Sequence, residues 1–249
     1  MKFMLAKRWD PSINPTGYLF SEKLDGFRCG WDGRRFISRG NNIIHAPSWF
    51  TKSLPSIALD GELWAGYGNI GLVASAVSGS REKDWERLIY CVFDAPEVSG
   101  SFEKRLETAK KCVTFGPHTA IVSHELCAGK TQLLKMLDEV VAQGGEGLVL
   151  RKAGSLYERK RSDTLLKVKK WFDAEATVIA HVEGKRPGLC GALKVINKEG
   201  KVFKVASGMT EGMAHNPPRI GTIITYKWDT LTKEGIPRPA SFVRIWKDI

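Results

Sequence analysis

Within eight residues, Ser21-Glu22-Lys23-Leu24-Asp25-Gly26-Phe27-Arg28, the chain gathers a lysine, two carboxylates, a glycine and an arginine. A lysine amine can attack the α-phosphorus of a nucleoside triphosphate and keep the nucleotide as a covalent adduct. The amine must first shed its proton. A free lysine has a pKa of about 10.4, so holding it neutral near pH 7.4 costs roughly 4 kcal/mol. Neighbouring cations and partial burial lower that cost. The same residue would serve equally as an ordinary surface lysine. Lys-x-Asp-Gly alone arises by chance in a chain this long roughly one time in twenty, and Arg28 makes chance about twentyfold rarer.

The company of these residues decides the reading. Asp60-Gly61-Glu62-Leu63-Trp64 follows a strand-like run beginning at Ile57. Tyr90-Cys91-Val92-Phe93-Asp94 closes another run that starts at Leu88. Glu146-Gly147-Leu148-Val149-Leu150-Arg151 opens a third, and Leu165-Leu166-Lys167-Val168-Lys169 comes after it. Each is a short strand carrying a charged or aromatic residue at its edge.

The elements that must position them follow from local pattern. Asp32-Gly33 between residues 27–31 and 34–38 predicts a hairpin. Helices are expected over 101–113 and 131–143. In the second, Leu133, Leu137, Val140 and Val141 share a face, and Gly144 supplies a C-terminal stop. After Trp171 helical patterning disappears. Five strand-like runs follow, at 176–182, 192–197, 202–206, 222–228 and 241–246, which fit a small closed barrel such as an OB fold. The division is expected near residues 171–175, giving domains 1–172 and 173–249. The fold class is α+β, with much antiparallel sheet in the first domain.

Composition bounds the function. The 249 residues are 43% hydrophobic and 26% charged, as in soluble globular proteins. No run of eighteen apolar residues occurs, so no membrane-spanning helix is expected. The apolar stretch at the N-terminus is too short for a secretory leader, so a cytoplasmic protein is expected, with periplasmic export of a processed precursor as the alternative. Cys29, Cys91, Cys112, Cys127 and Cys190 form no Cys-x-x-Cys pair and read as isolated thiols. The histidines do not cluster and read as structural or surface residues. A net charge of +11 favours polyanionic partners. Arg151, Lys152, Arg159, Lys160, Arg161, Lys167, Lys169 and Lys170 face only Glu158 and Asp163 over residues 151–170.

The ordered set resembles the motifs of the covalent nucleotidyltransferase superfamily, which contains ATP-dependent DNA ligases, RNA ligases and mRNA capping enzymes. It is most similar to the minimal bacterial and phage ATP-dependent DNA ligases, over almost the whole chain. Ser-Glu-Lys-Leu-Asp-Gly at 21–26 and Leu-Asp-Gly-Glu-Leu-Trp at 59–64 carry the resemblance most specifically. The runs Gly184-Lys185-Arg186 to Gly191-Ala192-Leu193 and Gly221-Thr222 to Tyr226-Lys227 add to it.

The resemblance implies an N-terminal adenylation (nucleotidyltransferase) domain and a C-terminal OB-fold barrel. It implies ATP as AMP donor, Mg²⁺, and nicked double-stranded DNA as partner of a monomeric enzyme. Lys23 would be the nucleophile, Phe93 would stack on adenine and Glu62 would contact the ribose. Ser21 and the Glu22 backbone would line the adenine pocket. Arg28 and Arg39 would hold phosphates, for which the planar guanidinium fork is suited. Lys167 and Lys169, two apart on a strand, would share a face and reach the triphosphate. Glu146 would help hold Mg²⁺, with Asp60 as a second candidate, because Mg²⁺ takes few carboxylates and completes its shell with water and phosphate oxygens. Arg238 and Arg244 would meet DNA or pyrophosphate. There the chain departs from the family pattern, carrying Trp246 where an arginine is common and Lys247-Asp248 where an acidic residue precedes a lysine. An RNA ligase would use the same lysine chemistry. A non-catalytic, basic OB-type DNA-binding protein would account for the charge and the barrel, but not for Lys23, Glu62, Glu146 and Lys167 in their order.

Overall fold

A computed structural model describes residues 1–246 except 80, 115 and 233; the Lys247-Asp248 pair lies outside the described residues. The chain divides into two compact units, Met1–Lys169 and Lys170–Ile249. The division falls before Phe172, which opens a strand by pairing with Trp228.

The first unit holds strands β1 (Leu5–Arg8), β2 (Tyr18–Glu22), β3 (Phe27–Trp31), β4 (Phe36–Ser38), β5 (Ile43–Ile44), β6 (Leu59–Trp64), β7 (Ile89–Asp94), β8 (Thr119–Ile121), β9 (Glu125–Leu126), β10 (Leu148–Lys152) and β11 (Arg161–Val168). Its helices are α1 (Ser48–Thr51), α2 (Ile70–Val77), α3 (Phe102–Cys112) and α4 (Lys130–Ala142). The strands form one sheet in the order β5-β4-β3-β6-β7-β8 and another in the order β1-β11-β10-β2-β9. Most neighbours are antiparallel; β1 with β11 and β7 with β8 are parallel.

The predicted hairpin is β3–β4, with Gly33 at φ +96° in its turn. Alternation then sorts side chains to two faces. Cys29, Leu59, Leu63, Tyr90 and Val92 enter a core with Phe36, Phe50 and Trp85. Arg28, Glu62 and Cys91 stand in register on the opposite face. In the second sheet Phe20, Leu148, Leu150, Leu166 and Val168 pack on Leu133 and Leu137 of α4. Burying each such leucine contributes roughly 1.5–3 kcal/mol. Ser21, Val149 and Lys167, in register across β2, β10 and β11, take the other face.

The two expected helices are α3 and α4. The Ser101 hydroxyl caps α3 by accepting the Lys104 amide, and Lys110 and Lys111 sit in its last turn, where cations suit the dipole. Gly144 follows α4 at φ +91°, in the left-handed region that ends helices. Helix α2 lies where no helix is expected: in Ile-Gly-Leu-Val-Ala-Ser-Ala-Val a glycine, a serine and three β-branched residues dilute the helix formers, and no charge pattern marks it.

The second unit is an OB fold. Its strands β12 (Phe172–Glu183), β13 (Cys190–Asn197), β14 (Val202–Val205), β15 (Ile223–Trp228) and β16 (Ser241–Ile245) run in the order β14-β13-β12-β15-β16. A bridge between Ser207 and Ser241 links the two edges. Val178, Leu193, Val195, Ile224 and Tyr226 fill the core. One short helix, α5 (Glu211–His215), capped by the Thr210 hydroxyl, interrupts the strands where only strands were expected. Gly184 and Gly191 permit a close backbone approach: a Cβ on Gly191 would lie 2.5 Å from the Gly184 Cα.

Candidate active site

The chemically active faces of the two sheets in the first unit enclose a cavity of about 730 Å³. Ser21, Glu22, Lys23, Arg28 and Arg39 line it. So do Glu62, Phe93, Glu146, Lys167 and Lys169. Residues separated by more than a hundred positions therefore meet at one place.

Lys23 follows β2, its backbone N–H donating to the Gly147 carbonyl at 2.8 Å. Its Nζ donates to Glu146 Oε2, while Lys169 Nζ lies 2.6 Å from Glu146 Oε1. One carboxylate thus carries two ammonium groups. Two glycines make this approach possible. A Cβ on Gly26 would meet the Leu63 carbonyl oxygen, and one on Gly147, where φ is +143°, would meet that of Val168. Asp25 is exposed as a residue, but desolvation by the surrounding protein atoms and the nearby Glu146 charge push its carboxyl up.

Arg28 is held in a fork, Nε and Nη2 donating to the two Asp60 oxygens at 3.1 and 2.7 Å. Tyr157 Oη donates to Asp60 Oδ2 at 2.6 Å. Burial opposes the Arg28 charge, but Asp60 outweighs it and holds the guanidinium above its ordinary range. Asp60, a second metal candidate by sequence, is 0% exposed, and its two oxygens accept from Arg28 and Tyr157. It supports the cavity wall from behind.

Phe93 owes its direction to a bulge. Asp60 faces Asp94 and Gly61 faces Val92, so Phe93 is the extra residue on β7. The Arg28 guanidinium lies 5.3 Å from the Phe93 ring centre. Next to Phe93, the buried Asp94 accepts from Arg105 at 2.7 and 3.1 Å and from Arg151 at 3.0 Å. That triad ties β7 to α3 and β10. Arg151 lines the cavity; burial pulls its guanidinium down, opposed by Asp94.

Burial pushes the Glu62 carboxyl up to about 8, against the pull of Lys23 and Arg28. Burial lowers His124, on the cavity wall, to about 4, so this ring is neutral near pH 7. Glu22 pairs with Leu148 across the strands, and its buried Oε1 has no hydrogen-bond partner among the described residues. Arg39 stands exposed at the mouth beside Gly40 and Asn42. Arg238 and Arg244 are exposed on the second unit. Sequence reasoning missed Phe3, Tyr157, Arg105 and Arg151, which bear on the site only through the tertiary fold.

A cavity lysine hydrogen-bonded to a carboxylate between two such sheets, preceding an OB barrel in the chain, is the arrangement of a nucleotidyltransferase of the ligase type. The family model for the ATP dependent DNA ligase domain matches residues 4–169, and that for the DNA ligase OB-like domain matches 183–245. The chain is 37% identical over 232 residues to the DNA ligase of Haemophilus influenzae, covering 92% of this chain and 86% of that protein. It superposes with TM-score 0.89 on a structure from a structure-function study of Lig E DNA ligases, at 38% identity and 99% coverage of both chains. Chlorella virus DNA ligase-adenylate, 23% identical with TM-score 0.60 over 100% of this chain and 99% of that one, shares the fold. The chain belongs to the ATP-dependent DNA ligase family. It is an enzyme that joins DNA using ATP.

Proposed function

We propose that the enzyme seals 5′-phosphate/3′-hydroxyl nicks in duplex DNA through a lysyl-AMP intermediate on Lys23. The observation that carries this reading is the Lys23 amine at the cavity wall, its Nζ hydrogen-bonded to Glu146 Oε2. Once neutral, Nζ attacks the α-phosphorus of ATP. An N–P bond forms, the bond to the bridging oxygen breaks, and pyrophosphate leaves. AMP then passes to the 5′-phosphate of the nick. The 3′-hydroxyl attacks that phosphate and releases AMP.

The remaining residues bind and orient. Phe93 offers a ring face to adenine, with Ser21 and the Glu22 backbone at the base edge. Glu62 meets the ribose. Arg28, Arg39, Lys167 and Lys169 counter phosphate charge in a site where water is displaced. Glu146 is suited to hold Mg²⁺, because it is a cavity carboxylate within reach of the phosphates and the ion needs few protein ligands. Bound there, Mg²⁺ would neutralise phosphate charge. The excess of basic residues, with Arg238 and Arg244 among them, would track the DNA backbone without reading sequence, so binding weakens steeply with salt. The protein acts as a monomer.

The test is incubation with ATP labelled in the α-phosphate, with Mg²⁺. A covalent adduct in the wild type, absent in Lys23→Ala, supports the reading, and no wild-type adduct overturns it. A panel of nicked DNA and nicked RNA with ATP, GTP or NAD then tests the substrate. Sealing confined to nicked RNA would make the protein an RNA ligase instead.

A further inference from the structure

We infer that Phe3 is a positioning residue of the nucleotide site, holding the Arg28 guanidinium against one face of Phe93 so that the other face is presented to the base. The inference rests on the proposed stacking of Phe93 on adenine.

Arg28 lies over two rings at once, 5.4 Å from the Phe3 centre and 5.3 Å from the Phe93 centre. The Asp60 fork fixes the guanidinium at its edge. A fork alone leaves the plane free to roll about its hydrogen bonds; contact with two rings limits that freedom. Phe3 is itself held. It is 5% exposed, and the Met4 amide donates to Tyr157 Oη at 3.2 Å, the same hydroxyl that donates to Asp60. The Leu5 amide donates to the Lys160 carbonyl at 2.9 Å, where β1 joins β11.

The chain leaves room for this ring. Gly30 stands two residues beyond Arg28 on the same face of β3, and a Cβ there would lie 3.2 Å from the Phe3 ring and collide with the Met1 sulfur. A side chain is missing from the strand where Phe3 lies. Electrostatics give the arrangement a consequence for binding. A cation held on one face of a ring attracts its π density and leaves the opposite face a better partner for an electron-rich purine. Phe3 would therefore act on the base through Arg28 and Phe93 without touching it.

The experiment is single-turnover formation of the lysyl-AMP adduct over a range of ATP concentrations. In Phe3→Leu the ATP concentration for half-maximal rate should rise about tenfold, while the maximal rate stays within about twofold. Phe3→Tyr should restore it. Phe3→Met, whose flexible thioether refills an irregular gap more readily, serves if the leucine variant does not fold. In a Phe93→Leu background, Phe3→Leu should add less than about twofold, because the route through Phe93 is already broken. A tenfold loss that persists there, or a fall in maximal rate at unchanged half-saturation, overturns the inference. Were Phe93→Leu alone to leave half-saturation unchanged, base stacking itself would fail; a large Phe93→Leu effect beside a silent Phe3→Leu would sink only the role of Phe3.

Discussion

Glu62 makes the pH dependence of stability a direct probe of the site. Its carboxyl is held at about 8 in the folded chain, against an ordinary value of 4.5, chiefly by burial. As pH rises from 4.5, the unfolded chain releases this proton first while the folded chain retains it. Stability therefore falls at about 1.36 kcal/mol per pH unit until the folded carboxyl also ionises near 8, beyond which the term is flat. The accumulated loss is about 4–5 kcal/mol, fully absent below the unfolded value. Glu62→Gln keeps the shape and cannot ionise. Relative to wild type, the variant should be near-neutral at pH 5 and more stable by roughly 4 kcal/mol at pH 9. Urea unfolding of both proteins at unit steps from pH 5 to 9 measures the difference, in which titrations elsewhere cancel. A difference constant within about 1 kcal/mol across the range would show that the carboxyl ionises normally, and the argument from burial would be wrong.

Two further outcomes follow from the walls of the cavity. Asp94→Asn removes the charge that Arg105 and Arg151 share and should cost roughly 3–5 kcal/mol in urea unfolding; a cost below about 1 kcal/mol would mean that the triad does not hold β7 to α3 and β10. Gly26→Ala directs a methyl group at the Leu63 carbonyl, so the backbone beside Lys23 must shift. Single-turnover adenylation should slow by about a hundredfold, and an unchanged rate would show that the approach of the strands at Gly26 is not required.

Much of this protein was legible before folding was considered. The Asp32-Gly33 turn, the Ser101 cap of α3 and the apolar periodicity of α4 are local signals, so the hairpin and both helices follow from neighbours along the chain. The ten residues assigned to nucleotide chemistry lie in short motifs whose spacing reflects strand ends, and all ten line one cavity. Other features depend on pairings distant in sequence. Strands β1 and β11 exist because Leu5 and Arg161 pair across the unit, a partnership no local window contains. Asp60 reads as an available carboxylate in its motif; only packing brings Arg28 and Tyr157 onto its two oxygens. Phe3, Arg105 and Arg151 look like ordinary core or surface residues until the sheets face one another. Residue types and order set which chemistry is possible, because nucleophilicity and charge belong to the side chain itself. Burial and the identity of the neighbour decide which carboxylate keeps a proton, which binds an arginine and which meets the lysine, and those properties arise only when the two sheets close around the cavity.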